Sequence, residues 1–211
     1  MNGIVLFADV VHSRRDAAGS TAWLRTLADE LAETYPAGAR LAPFEFTQGD
    51  ELQGLLVATA DPVAALLHGA LHPETRPMRW VVAAGEVDPG TGPATQRTGP
   101  AFLRARQRVA EAATRRDGLL MSSGDDAADR LLDDLAPLLA ALLDDLTERQ
   151  RVIGRLILVE GLRRSDVAER LKVRRATISV AADRAHLRSI ARLSDALRSI
   201  FATGQEAAGT R

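Results

Sequence analysis

Three carboxylates and a set of arginines are the side chains in this sequence whose types and spacing allow chemistry. Asp9 closes a short apolar run, Ile4 to Ala8, and Gln48-Gly49-Asp50-Glu51 separates two further apolar stretches. If those stretches form a hairpin beside the first run, Asp9 and Asp50 converge, with Glu51 adjacent. Converging carboxylates without a nearby base repel, and a hard divalent ion such as Mg²⁺ or Mn²⁺ relieves the repulsion. With a triphosphate bound, two ions serve the attacking and leaving oxygens. Asp9 and Asp50 are therefore the candidate catalytic residues, and Asp9, Asp50 and Glu51 the candidate metal ligands. Gly49 and the arginines Arg97, Arg104, Arg106 and Arg108 are candidates to hold a nucleotide's phosphates. A plainer account stands beside this one: Asp9 caps a helix or turn, Asp50 serves its turn, and no ligand is involved.

The second set lies near the other end. Residues 146–200 hold thirteen basic and six acidic residues, a net +7, while the whole chain carries −1, so the remainder carries −8. A basic end on an acidic body points to a polyanionic partner. Leu146-Thr147-Glu148-Arg149-Gln150 opens a helix with Thr147 as N-cap and Gln150 completing a capping box. The helix turns Val152, Leu156 and Val159 inward and stops at Gly161. Ser165 is expected to cap a second short helix, Asp166 to Leu171. A turn through Lys172-Val173 leads into a third, Arg174 to Arg184, with Ile178 as its apolar plug and Ala168 small where helices cross.

In a helix-turn-helix the last of these enters the major groove by its amino-terminal residues. Arg174, Arg175, Thr177 and Ser179 would then face double-stranded DNA, where Arg pairs with guanine and Thr or Ser contacts base or phosphate. Arg163, Arg164 and Arg184 are placed for phosphates. The alternative is a three-helix packing element with solvated arginines.

The elements that must position these residues follow from periodicity and punctuation. After the first strand, Asp16 to Tyr35 has helical spacing through Trp23, Leu27 and Leu31 and stops at Pro36 and Gly38. Phe44 to Thr47 and Leu52 to Val57 are two strands about a turn, where Gly49 tolerates positive φ. Asp61 caps a helix that has Pro62 at its first position. Met78 to Val87 is a strand, and 88–98, rich in Gly, Pro and Thr, is a loop. Gly99-Pro100 opens a helix to about Arg116 with Phe102, Ala105, Val109 and Ala112 on one stripe. Leu119 to Ser122 is a last short strand, and Asp125 to Leu146 an acidic, Leu-rich helix. This order, β-α-β-β-α-β-α-β, is that of a ferredoxin-like, split βαβ, α+β domain. His186 to Phe201 has Leu187, Ile190, Leu193, Leu197 and Ile200 at helical spacing, for a dimer contact or for packing on its own domain.

Whole-chain properties narrow the classes. The 211 residues contain no cysteine, which removes disulfides and thiolate metal sites. No apolar run reaches the ~18 residues of a membrane span, and the amino terminus reads as neither a basic leader nor a cleavage site, so a cytoplasmic protein is expected. His12 is read as solvated, and His68 and His72, at i, i+4 before Pro73, as surface residues lacking a third metal ligand.

Two resemblances attach to these motifs. The pattern Leu-Thr-x-x-Gln…Gly…Val-Ala-x-x-Leu-x-Val-x-x-x-Thr-Ile-Ser, spanning about Leu146 to Arg184, resembles the DNA-binding helix-turn-helix of sigma factors and related regulators. One departure is Lys172, where the turn normally carries Gly; a left-handed Lys costs ~1 kcal/mol. Phe7-Ala8-Asp9-Val10-Val11 and Gln48-Gly49-Asp50-Glu51-Leu52 resemble the metal-binding strand and hairpin of class III nucleotide cyclases, and the hairpin also that of diguanylate cyclases. Gly85-Glu86-Val87 is similar to the following cyclase strand. The nearest resemblance is to the SatD family, through Ala8 to Arg14, Gly49 to Leu56 and Gly99-Pro100-Ala101, over about Ile4 to Ser122.

That resemblance implies a cyclase-like palm without establishing catalysis. Phe102 and Leu103 stand around the position of the cyclases' transition-state Asn. Lys172 is the sole lysine, so their base-selecting Lys has no counterpart. Gln48 and Leu52 break the diguanylate pattern.

The expected organisation is a palm over 1–124, a connecting helix over 125–145, an all-α helix-turn-helix domain over 146–203 and a disordered tail over 204–211. The expected function is that of a transcriptional regulator, a homodimer binding double-stranded DNA, whose palm binds a nucleotide with a divalent ion. The alternative is a nucleotidyl cyclase or polymerase-like enzyme that dimerises through its basic end. The connecting helix is the expected transmitter, with Leu131, Leu135, Leu138 and Leu142 on one face and Leu132, Leu139 and Leu143 on the next.

Overall fold

Strand alternation fixes the sheet. In the computed structural model, which describes residues 1–46, 51–115 and 118–210, β1 (Asn2–Val10) turns Ile4, Leu6, Ala8 and Val10 to one face and Val5 and Phe7 to the other. β2 (Arg40–Phe46), β3 (Glu51–Val57), β4 (Met78–Glu86) and β5 (Leu119–Ser122) complete a five-stranded mixed sheet in the order β2-β3-β1-β4-β5. β1 is antiparallel to both β3 and β4, β2 is antiparallel to β3, and β4 is parallel to β5. β1 and β2 therefore run parallel with β3 between them. The fold is α+β, with a helical carboxy-terminal region. The turn built on Gly49 and Asp50 lies outside the described residues.

The helices start where the caps require. Asp16 Oδ1 accepts the Gly19 amide at 3.0 Å ahead of α1 (Ala17–Thr34), and Asp61 Oδ1 accepts that of Val63 at 2.9 Å ahead of α2 (Pro62–Ala70). Each side chain satisfies a donor that the first helical turn leaves unpaired. α1 and α2 cover one face of the sheet, while α3 (Pro100–Arg115) packs Ala101, Phe102, Ala105 and Ala112 on the other. Asp125 Oδ1 accepts from Ala127 and Ala128 to start α4 (Asp126–Asp144).

The capping box of the basic segment forms as expected. The Thr147 amide donates to Gln150 Oε1 at 2.8 Å, and the Gln150 amide to Thr147 Oγ1 at 3.4 Å. α5 (Glu148–Gly154) continues as a π-helical turn, Arg155–Val159, and the chain reverses at Gly161, φ +67°. α6 (Arg164–Arg170) begins earlier than expected. Arg163 is its N-cap, and Ser165 lies inside the first turn with its hydroxyl donating to Asp166 Oδ1, so it cannot serve as the cap. Lys172 takes φ +53°, and the Val173 amide closes the turn on the Ala168 carbonyl at 2.9 Å. The left-handed conformation that Gly would supply freely is thus adopted by lysine. α7 (Arg175–Arg184) follows, with Ile178 and Ala182 buried.

α8 (Leu187–Gly209) corrects the expected disordered tail. Residues 204–209 are its last turns, and Gly204 is buried, so close to β5 that an added Cβ would sit 2.1 Å from Ser123 Oγ. α8 packs along α4, burying Leu187, Ile190, Leu197 and Phe201 within its own chain. One buried cluster runs from the α1/α2 face of the sheet through Ile153, Leu156, Val167, Ala168 and Ile178. The buried cluster therefore continues across residue 146, through Leu143, Leu146 and Ile153.

Candidate functional site

The sheet register sets out the carboxylates. Asp9 is directly opposite Glu51 on β3 and opposite Arg79 on β4, a row across three strands on the face that α3 covers. Directly paired antiparallel residues have Cα atoms ~4.5–5.5 Å apart, so the Asp9 and Glu51 side chains leave neighbouring points. Each meets a partner within the protein. Arg79 Nη1 donates to Asp9 Oδ2 at 3.1 Å, and the Gln53 amide nitrogen to Glu51 Oε1. Val109 and Ala112 of α3 lie over Phe7, Asp9, Arg79 and Val81. Asp50, the other expected ligand, lies outside the described residues with Gly49. Among the described residues no group of three or more His, Asp or Glu is placed to hold a metal ion.

The cations gathered around Asp9 differ from those the sequence singled out. Arg14, Arg15 and Arg79 border an open depression of about 330 Å³ with Asp9 and His12. Arg97 is buried and donates to the Asp88 carbonyl at 3.2 Å. Arg104 donates to the Ala84 carbonyl at 2.6 Å, and Ala84 is paired with Ile4. Five residues of strand, ~17 Å at the usual rise, separate Ile4 from Asp9. Arg108 is held by Glu111 and Asp133, each at 3.0 Å, and Arg106 is exposed on α3. The fold thus engages three of the four arginines expected to hold phosphates in other contacts. Arg14 and Arg15 were legible as the basic pair closely following Asp9, but their proximity depends on the chain folding back beyond β1.

The basic residues of the helical face lie on α5, α6 and α7 or at their N-caps. Arg174 is the N-cap of α7 and Arg175 its first residue; both are exposed, as are Thr177, Arg184 and, at the α6 N-cap, Arg163. Ser179 is half-buried. Arg164 pairs with Asp183 across the two helices at 3.3 Å. Thr147, Arg149, Gln150, Arg174, Thr177 and Arg184 line an open groove of about 590 Å³ between the start of α5 and α7.

Two members of this face went unnoticed in the sequence. Arg149 reaches the groove from α5. Val180 is 50% exposed and shares the outer face of α7 with Ala176. The helical period held the signal for Val180: at ~100° per residue, positions two before and two after the Ile178 plug point away from the core.

His68 and His72 sit at a seam rather than on open surface. The His72 ring packs against Trp23 with centroids 4.8 Å apart, and its Nε2 meets Glu30 Oε1 at 3.2 Å. Burial pushes both histidines below their usual pKa; the Arg155 guanidinium adds to the effect, while Glu30 opposes it. Hydrophobic spacing could not reveal this, because the partners come from α1 and from the π-turn following α5.

No family model matches this chain, and no curated protein matches it.

Proposed function

We propose that the chain is a DNA-binding transcriptional regulator that docks α7 in the major groove of double-stranded DNA. The observation that carries the reading is the outer face of α7. Arg174, Arg175, Thr177, Val180 and Arg184 are exposed on a helix whose opposite side is anchored by Ile178 and Ala182. Arg175 and Thr177 supply polar contacts to base edges, Val180 an apolar surface for a thymine methyl group, and Arg149, Arg163 and Arg184 phosphate contacts. The left-handed turn at Lys172 supports the sigma-factor-like helix-turn-helix. Its test is binding of the full chain to duplex DNA as salt varies. Those three phosphate contacts give a slope of log affinity against log salt of about −3 for each bound chain. Salt-independent or absent binding to duplexes, including ones selected from a random pool, overturns the reading.

The amino-terminal half of the proposal is a ferredoxin-like, SatD-like palm that binds a nucleotide. The strand order β2-β3-β1-β4, with β1 antiparallel to both neighbours, supports the split βαβ arrangement. The Asp9–Glu51 register supports a carboxylate pair for Mg²⁺ or Mn²⁺, which would neutralise phosphate charge, with Arg14 and Arg15 as the nearby cations. Asp9→Asn should abolish any Mg²⁺-dependent thermal shift seen with a nucleoside triphosphate; an unchanged shift removes this half alone. The homodimer belongs to the same reading, with the exposed Leu131 and Leu138 of α4 as its apolar contact.

A further inference from the structure

A further cavity with polar groups at its rim is separate from both sites. It measures about 320 Å³ and lies where α2, β4, α4 and α5 meet. That volume is at the lower end of pockets that take small organic ligands. Its apolar lining comes from Leu66, Met78, Trp80 and Leu143, all buried. Charged groups border it asymmetrically. Arg76 is neutralised by Asp16 at 2.7 Å. Asp144 and Arg151 are the remaining pair, and no side-chain bond joins them. Arg151 Nη2 donates to the Asp144 backbone carbonyl at 3.2 Å, while Arg151 Nε is buried without a hydrogen-bond partner.

We propose that this cavity binds a free amino acid with an apolar side chain. The ligand's carboxylate would meet the Arg151 guanidinium, its ammonium the Asp144 carboxylate, and its side chain the surface of Leu66, Met78 and Trp80. A simple organic anion fits less well, because Asp144 repels it, and a simple cation meets Arg151. A zwitterion gives each charge a partner. Partial desolvation raises the Asp144 pKa, outweighing the nearby Arg151 charge that lowers it. Because Arg151 lies on α5, an occupant would tie the first helix of the basic segment to the sheet. The cavity's chemistry does not depend on the DNA-binding reading.

The test is calorimetric titration of the full chain with L-leucine, L-phenylalanine and L-tryptophan, with phenylacetate and phenethylamine as the acid-only and amine-only analogues. Tryptophan emission is a second readout, since Trp80 lines the cavity. One-site binding of at least one amino acid is expected. Removing either charge, from ligand or protein (Arg151→Met, Asp144→Asn), should cost about tenfold or more, as loss of a charged hydrogen bond does. Ala70→Leu, which projects into the cavity from the end of α2, should block binding while circular dichroism stays unchanged. It keeps the question decidable if Arg151→Met fails to fold. No binding of any of the three amino acids overturns the proposal. So does phenylacetate binding as tightly as phenylalanine, or undiminished affinity in Ala70→Leu.

Discussion

Arg155, following α5, donates to Glu30 Oε1 of α1 at 3.0 Å, joining residues 125 apart in sequence. The same guanidinium reaches the His68 carbonyl at 3.4 Å, and the same carboxylate oxygen meets His72. The basic helical segment is thereby fastened to the helices that cover the sheet.

That linkage predicts joint unfolding. Both side chains are about four-fifths buried, so Arg155→Met should cost about 1–3 kcal/mol, below the full penalty for breaking a deeply buried pair. The Glu30→Gln/Arg155→Met double-mutant cycle should show coupling of about 1 kcal/mol. Urea unfolding followed by far-ultraviolet dichroism and tryptophan emission should give one coincident transition. Two separated transitions would mean that the halves are merely tethered.

The seam also predicts a pH dependence. His68 and His72 titrate lower in the folded chain than their usual 6.5, so the unfolded chain binds more protons in that interval. Stability is then fully present above about pH 6.5 and falls as pH drops through the unfolded value toward the folded ones. Melting temperature measured from pH 7.5 downward should decline, and His68→Gln/His72→Gln should flatten the first part of that decline. An identical profile in the double variant would clear the histidines of the effect.

Gly204 gives a prediction of unusual sign. In an exposed helix Gly→Ala gains about 1 kcal/mol. Here the new Cβ would meet Ser123 Oγ at 2.1 Å and Ala128 Cβ at 2.7 Å, so Gly204→Ala should destabilise by about 1–3 kcal/mol as overpacking does. A neutral or stabilised variant would show that the last turns of α8 are not docked.

On DNA, Val180 and Arg184 should separate base reading from charge. Val180→Ala should weaken a selected site and leave the salt slope unchanged. Arg184→Ala should weaken all sequences alike and reduce the slope by about 1. Arg164→Ala should do more than remove a cation, because it frees the exposed Asp183 carboxylate beside the groove. Anisotropy titrations at several salt concentrations would measure all three, and an unchanged slope in Arg184→Ala would remove that residue from the phosphate contacts.

Local physics made much of this protein legible from sequence alone. The apolar strand runs, the helix starts near Asp16 and Asp125, the Asp61 cap with Pro62, the Thr147–Gln150 box and the Ile178 plug each depend on residues a few positions apart, and each recurs in the structure. The caps at Asp61 and Thr147 set the starts of α2 and α5, while the Asp16 and Asp125 caps appear only in the structure. What the sequence could not determine depends on which distant elements share a surface. Arg97, Arg104 and Arg108 read as free cations because their partners, the carbonyls of Asp88 and Ala84 and the acids Glu111 and Asp133, meet them largely through folding. Arg14 and Arg15 stand near Asp9 because the chain turns back after β1. Gly204, between small and polar residues, has the local composition of a tail, yet it is buried because α8 needs close approach to β5. A side chain's period and cap are local properties, whereas its neighbours across the fold are fixed only when the sheet, α4 and α8 close on one core.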